Sequence, residues 1–293
     1  MLADIATWLY VPGGRLPELL AKAARTADGI VIDLEDAVHP SARPGVRALL
    51  PSALAAAAGA STGFPRDGRV PVVVRVNPVD SADFAADVAA VGPLLAEGRV
   101  HGIRLPKVES ATDVRKAYAA SSRFLDQPHL VPLIESALGL LHAAEIAAET
   151  GVHSLTLGES DLRADLGLPR DGSEDGLLLA RLTVVQAARA AGLPSPVASV
   201  HPHVTDLDGL RRSCEALRQL GFYGRSVIHP LQVPVVRGAF APRADELHWA
   251  NEVLERVAAM DRSRSAAATL DDGSFVDPAI LRQARLIHER ANA

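Results

Sequence analysis

Eight short runs rich in β-branched and aliphatic residues recur along the chain, starting near positions 7, 29, 70, 102, 130, 154, 196 and 225. Their spacing of about thirty residues is the length of one strand–helix unit. Between them, segments 16–27, 52–60, 81–96, 110–121, 139–149, 176–191 and 206–220 are rich in alanine and leucine, with helical periodicity. Strand then helix, eight times over, predicts a closed TIM (β/α)8 barrel, which needs about 250 residues. A doubly wound open sheet uses the same alternation but carries G-x-G-x-x-G after its first strand. Here that turn reads VPGGRLPE, so its two glycines predict a tight strand–helix turn instead. The barrel is expected over 1–237, with loops at 61–69 and 169–176. A C-terminal helical appendage is expected over 238–293, with helices at 243–260 and 278–291 around a polar bend at 261–272.

Composition narrows the function classes. The 293 residues carry 30 Lys and Arg against 35 Asp and Glu, a net charge of -5 without a long single-sign block, so nucleic-acid binding is not expected. No stretch of eighteen residues avoids charge and helix breakers, and the first residues lack a basic region followed by an apolar one. Neither membrane spanning nor secretion is expected, and the cytoplasm is the expected location. Cys214 is the single cysteine, which rules out a disulfide within the chain; inside GLRRSCEALRQL it reads as a small core residue.

In a barrel, chemistry belongs at the carboxyl ends of the strands, and here those ends are polar. They carry Asp33, Glu35 and Asp36 after the second run, Arg75 and Asn77 after the third, and Lys107 after the fourth. Glu135 follows the fifth, Glu159 and Asp161 the sixth, and His229 the eighth. Glu135 and Asp161, from neighbouring strands, suit a shared hard dication, and oxygen-only ligation favours magnesium. The same acids also read as a charged rim paired with Arg75 and Lys107. Arg75 presents a planar fork to a carboxylate or enolate, or a salt bridge to Glu35 or Asp36. So many nearby acids should keep the pKa of Lys107 high, against a Schiff-base role. His229 reads as hydrogen-bonded structure rather than catalyst, and His201 and His203 lack a third histidine for zinc.

At these residues the chain resembles the HpcH/HpaI aldolase and citrate lyase family, in particular its citrate lyase beta-subunit-like branch with malyl-CoA and citramalyl-CoA lyases. The segments carrying the resemblance are WLYVPGGRLPELLAKA, GIVIDLEDAV, VVVRVNP, IRLPKVES, LVPLIESALGLLHAAEIA, LTLGESDLRADLG, LGFYGRSVIHPLQVPVV and GSFVDPAILRQA, in the family's order. The resemblance implies a magnesium-dependent TIM barrel, commonly a homotrimer, that cleaves or forms a carbon–carbon bond in a 3-hydroxyacyl-CoA thioester, giving acetyl-CoA and a 2-oxo acid. It implies Glu135 and Asp161 as metal ligands and Arg75 as a substrate contact, with Glu35 and Asp36 supporting the metal waters and Arg75. Asp277 corresponds to an acid/base placed in a neighbour's active site, so the appendage is expected to reach a neighbouring subunit of a trimer or hexamer. Arg15 and Lys22 correspond to residues that contact coenzyme A, and Lys107 joins Arg75 in the substrate-binding set. A malate-synthase-like or thioester-hydrolysing enzyme with the same metal site is the alternative, as is a citrate lyase beta subunit serving an acyl-carrier thioester within a larger complex. The chain departs from the family where an acid is usual in strand seven, reading Val197-Ala198-Ser199-Val200-His201, and where Leu16 separates Arg15 from Pro17.

Overall fold

The computed structural model describes residues 2, 5–58, 70–169, 174–263, 269–270 and 273–291. The loop expected at 61–69, the middle of the one at 169–176, and positions 264–268 and 271–272 of the expected bend lie outside the described residues. Two compact units are present, Met1–Ala239 and Phe240–Ala293.

The first unit contains seven parallel strands: β1 (Thr7–Pro12), β2 (Gly29–Asp33), β3 (Val72–Arg75), β4 (Gly102–Leu105), β5 (Leu130–Ile134), β6 (Thr156–Leu157) and β7 (Arg225–Val227). Their spatial order is β6-β5-β4-β3-β2-β1-β7. The run at 196–200 is no full strand. It joins the ring through single parallel bridges, Thr156 to Val197 and Ala198 to Arg225. The Val197 N–H donates to the Leu155 carbonyl at 3.1 Å, and the Ser226 N–H to the Ala198 carbonyl at 2.9 Å. The segment therefore fills the eighth place in a closed barrel. Pro194 and Pro196 explain its brevity, because neither has an N–H to give to a ladder.

Apart from Tyr10 and Pro12 of β1, the strands are buried along their length, as expected where helices cover one face and the barrel core the other. Side-chain alternation sends Trp8, Val31, Val73 and Val197 into one core cluster with Leu2 and Ile5. The first turn behaves as its glycines predict: Gly13–Arg15 makes one 3-10 turn. A Cβ on Gly13 would lie 2.6 Å from the Asp33 carbonyl oxygen, so only glycine fits there.

Helix boundaries differ most from the periodicity in two places. The helix expected at 52–60 begins earlier and runs Arg43–Ala58, carrying Pro51 within it. The one expected at 139–149 breaks at His142 into Ala137–Leu141 and Ala143–Ala147. In the second unit, helices Ala244–Ser263 and Pro278–Ala291 pack around Ala250, Val253, Leu270, Val276 and Ala284. No helix among the described residues is long and apolar enough to cross a membrane. Cys214 is fully buried in the helix Leu207–Gln219, as its sequence context predicts.

At the amino-terminal side of the strands, His129 and His153 stack with ring centroids 4.5 Å apart. Burial, then the facing His129 ring, lowers the pKa of His153 from 6.5 to about 4. An unfolded chain binds a proton at this position below about 6.5 that the folded ring resists, so stability is full above that pH and falls towards pH 4. With solvent screening of the half-buried ring, the loss is about 1–2 kcal/mol. His153→Phe is expected to flatten the fall in urea midpoint between pH 7 and pH 5; an unchanged slope would contradict this.

Candidate active site

Consecutive in the sequence and adjacent in the sheet, β2 and β3 bring Asp33 level with Arg75. Both point into the barrel mouth. Arg75 donates from Nε and Nη2 to the two Asp33 oxygens at 2.8 and 2.6 Å, a two-pronged pair buried on both sides. Its Nη1 lies 2.7 Å from Glu35 Oε2 and 3.3 Å from Asp36 Oδ2. The Glu35 contact is an ion pair out of line for a hydrogen bond, so neither Glu35 oxygen has a hydrogen-bond partner among the described residues. Burial raises the Glu35 carboxyl to about 7, against the pull of Arg75 and Lys107 and with the help of Asp36 and Asp33. Burial opposes the charge on Arg75, yet the bond to Asp33 and the fields of Tyr10, Asp33 and Glu35 raise its pKa above the ordinary arginine value.

Past β4 the backbone of Lys107 takes φ 52°, the one left-handed non-glycine residue among those described. That turn aims its N–H at Glu135 Oε1, 2.7 Å away. The half-exposed Lys107 ammonium lies 3.6 Å from Glu35 Oε1. Burial works to lower its pKa, but Glu35, Asp36, Glu135 and Asp161 outweigh it and raise it, which keeps the amine protonated and unfit for Schiff-base chemistry.

Glu135 directly follows β5 and is almost wholly buried, while Asp161 is exposed in the first turn of the helix Glu159–Asp165. Burial first, then the nearby Asp161 and Glu35 charges, raises the Glu135 carboxyl to about 8, although the Lys107 N–H pulls it down. Five carboxyl groups thus share two cations at one mouth. Such a set suits a hard dication. No group of three or more His, Cys, Asp or Glu side chains is placed to hold a metal among the described residues, so an ion at the Glu135–Asp161 pair would need water or substrate oxygens as further ligands.

Gly158 makes the room for Glu135. A Cβ there would sit 2.6 Å from Glu135 Oε2 and 2.7 Å from its Cβ, although the backbone at φ -102° accepts any residue. Gly158→Ala is therefore expected to displace Glu135 while leaving the fold intact, weakening magnesium binding about 10- to 100-fold in a calorimetric titration. Unchanged affinity would refute the steric link.

The remaining sequence candidates spread out. Arg15 is exposed in the first turn, paired with Glu18 at 2.6 Å, and Lys22 is exposed on the last turn of the same helix, Leu16–Ala23. Asp277 lies in the second unit, exposed, where its Oδ1 accepts from the Ala279 and Ile280 N–H groups at 2.7 and 2.8 Å and caps the terminal helix. His229 Nδ1 accepts from the Leu231 N–H at 3.2 Å, a local structural bond.

Three groups escaped the sequence reading as site residues. Asp33 was visible as a strand acid but not as the main partner of Arg75. Tyr10 and Arg104 share the inner wall, and their alternation with Trp8 and Gly102 was the available signal. Glu159 and Arg181 form a buried pair at 2.7 Å beneath Asp161, and Ser199 Oγ accepts from the Glu159 N–H at 3.1 Å.

Residues 6–230 match the family model for HpcH/HpaI aldolase/citrate lyase. A (3S)-malyl-CoA thioesterase of Cereibacter sphaeroides is 35% identical over 289 residues, spanning 97% of this chain and 94% of its own. The citrate lyase subunit beta of Haemophilus influenzae is 31% identical over 293 residues, spanning 97% and 96%. The crystal structure of CitE from Mycobacterium tuberculosis, in complex with magnesium, acetoacetate and coenzyme A, is similar with a TM-score of 0.75 at 32% identity, covering 100% of this chain and 99% of that one. The matched span, the barrel and the acidic mouth agree, and the chain is an enzyme belonging to the HpcH/HpaI aldolase/citrate lyase family.

Proposed function

We propose that this enzyme is a magnesium-dependent carbon–carbon lyase that cleaves, or in reverse forms, a 3-hydroxyacyl-CoA thioester such as malyl-CoA or citramalyl-CoA, giving acetyl-CoA and a 2-oxo acid. The observation that carries it is the buried Glu135 held beside Asp161 at the carboxyl end of the barrel, where burial and then the Asp161 and Glu35 charges raise its carboxyl to about 8. Glu135 and Asp161 would hold the ion. Bound there, magnesium supplies Lewis acidity to the carboxylate and 2-oxygen of the oxo acid.

The chain's own residues do the rest. Arg75, locked by Asp33, Glu35 and Asp36, presents fixed positive charge to the enolate left on the thioester side. Lys107 holds a second positive charge over the same mouth. Asp277, contributed by a neighbouring copy in a homo-oligomer, takes the proton from the 3-hydroxyl as the carbon–carbon bond breaks. Its capping bonds use Oδ1 and leave Oδ2 without a partner among the described residues, which suits that task. Asp277 then returns that proton to the α-carbon of the enolate, which leaves as the acyl thioester. Arg15 and Lys22, both exposed, are proposed to meet the phosphates of coenzyme A.

A second reading, hydrolysis of the thioester by the same site, is favoured by the 35% identity to a malyl-CoA thioesterase. Incubation with magnesium and a panel of malyl-CoA and citramalyl-CoA separates the two. Release of acetyl-CoA with a 2-oxo acid supports the lyase; free coenzyme A with intact hydroxy acid supports hydrolysis; neither product overturns both.

A further inference from the structure

Arg104 is fully buried on the inner wall of the barrel, yet no carboxylate pairs with it among the described residues, and its Nε meets no acceptor. It is level with Arg75 in the β3–β4 ladder. Where Arg75 spends its fork on acids, Arg104 spends its own on neutral groups. Its Nη1 donates to the Tyr10 hydroxyl at 3.1 Å and to Ser226 Oγ at 3.2 Å, and its guanidinium lies over the Trp8 and Tyr10 rings at 5.9 and 5.5 Å. A buried cation held by neutral partners is costly, so its position calls for a purpose other than stability.

Tyr10 gives one. Its ring is within reach of two guanidinium groups, Arg104 at 5.5 Å and Arg75 at 5.3 Å from its centroid. A phenol has one hydrogen to donate and lone pairs to accept. Accepting from Arg104 fixes the oxygen and leaves that hydrogen, for which no acceptor is present among the described residues. Tyr10 is half-buried rather than sealed off, and through Arg75 its ring adjoins the acids of the mouth.

We propose that the Tyr10 hydroxyl is a further substrate-contacting donor of this site, giving its hydrogen to an oxygen of the bound small 2-oxo acid, with Arg104 as the positioning residue that fixes the phenol. The inference rests on the proposed lyase reading, because it takes an oxo acid to be the ligand there.

Oxalate, a stable dianion that shares the carboxylate and adjacent oxygen of a small 2-oxo acid, is the probe. The chain has three tyrosines, Tyr10, Tyr118 and Tyr223, so protein labelled with carbon-13 at the tyrosine ζ carbon gives three resonances, and Tyr10→Phe identifies one of them. The Tyr10 resonance is expected to move when oxalate is added with magnesium. Tyr10→Phe, which keeps the ring, is expected to weaken oxalate binding about tenfold or more while magnesium binding alone is unchanged. Arg104→Met is expected to shift the Tyr10 resonance before any ligand is added; should it fail to fold, Arg104→Lys serves the same comparison. An unmoved Tyr10 resonance with oxalate bound, or parental affinity in Tyr10→Phe, overturns the proposal and leaves the metal site standing. Failure of the parent protein to bind oxalate with magnesium overturns both.

Discussion

Glu135→Gln is expected to lower kcat/KM for thioester cleavage by at least about 100-fold, the scale on which ligand-shell and oxyanion groups act. Glutamine has nearly the same shape and still offers the Lys107 N–H an oxygen, so the turn at φ 52° and the hydrogen bond of 2.7 Å have reason to survive. What disappears is the carboxylate that Glu135 can offer beside Asp161. Thermal unfolding provides a second measure. With magnesium a hundredfold above its dissociation constant the parent gains about 2.7 kcal/mol, and the variant is expected to gain nothing. Full cleavage activity in the variant would mean that the ion, if required, binds elsewhere.

Arg181→Ala is expected to cost about 3 kcal/mol, because it strands a buried carboxylate. Arg181 donates from Nε and Nη2 to the two Glu159 oxygens at 2.7 and 3.0 Å, and its Nη2 also meets Glu174. Arg181 and Glu159 are both nearly inaccessible to solvent. For a chain of this size, such a loss lowers Tm by roughly 6–12 °C. The same change is expected to loosen the first turn of the helix Glu159–Asp165 and weaken magnesium binding about tenfold, since that turn carries Asp161. Arg163→Ala is the control: among the described residues it removes a pair with Glu174, whose side chain is 63% exposed, and should cost under about 1 kcal/mol. Equal losses in the two variants would show that the buried pair has no special weight.

Much of this arrangement is legible from sequence because parallel strands are short, apolar and evenly spaced. GIVID and LVPLI announce themselves as buried strands, and the polar residues directly after them mark the mouth. The 196–200 run was harder to judge, because residue type suggested a strand while flanking prolines limited its pairing to one bridge on each side. Glu135 and Asp161 could be picked out from strand ends, but the steric need for glycine at 158 depends on a side chain twenty-three positions earlier in the chain. Arg75 was recognised as a fork, and a salt bridge to Glu35 or Asp36 was one of its two readings. That Asp33 is its principal partner depends on the register between β2 and β3, which spacing alone leaves open. Arg104 was invisible for a related reason: nothing in IRLPK says that its side chain crosses the barrel to Ser226.

The single-residue join at Val197 and Ala198 divides the ring mechanically. β1 to β5 form continuous ladders and carry Arg75, Lys107 and Glu135 on a stiff arc. β6 is two residues long, and beyond it the wall is fastened by isolated bridges, with Ser199 tied to the turn that bears Asp161. Backbone amides along this fastening should exchange with solvent before those of the arc. Any adjustment of grip between an empty and a loaded mouth then falls on the pliant side, moving Asp161 while the opposite jaw keeps its aim.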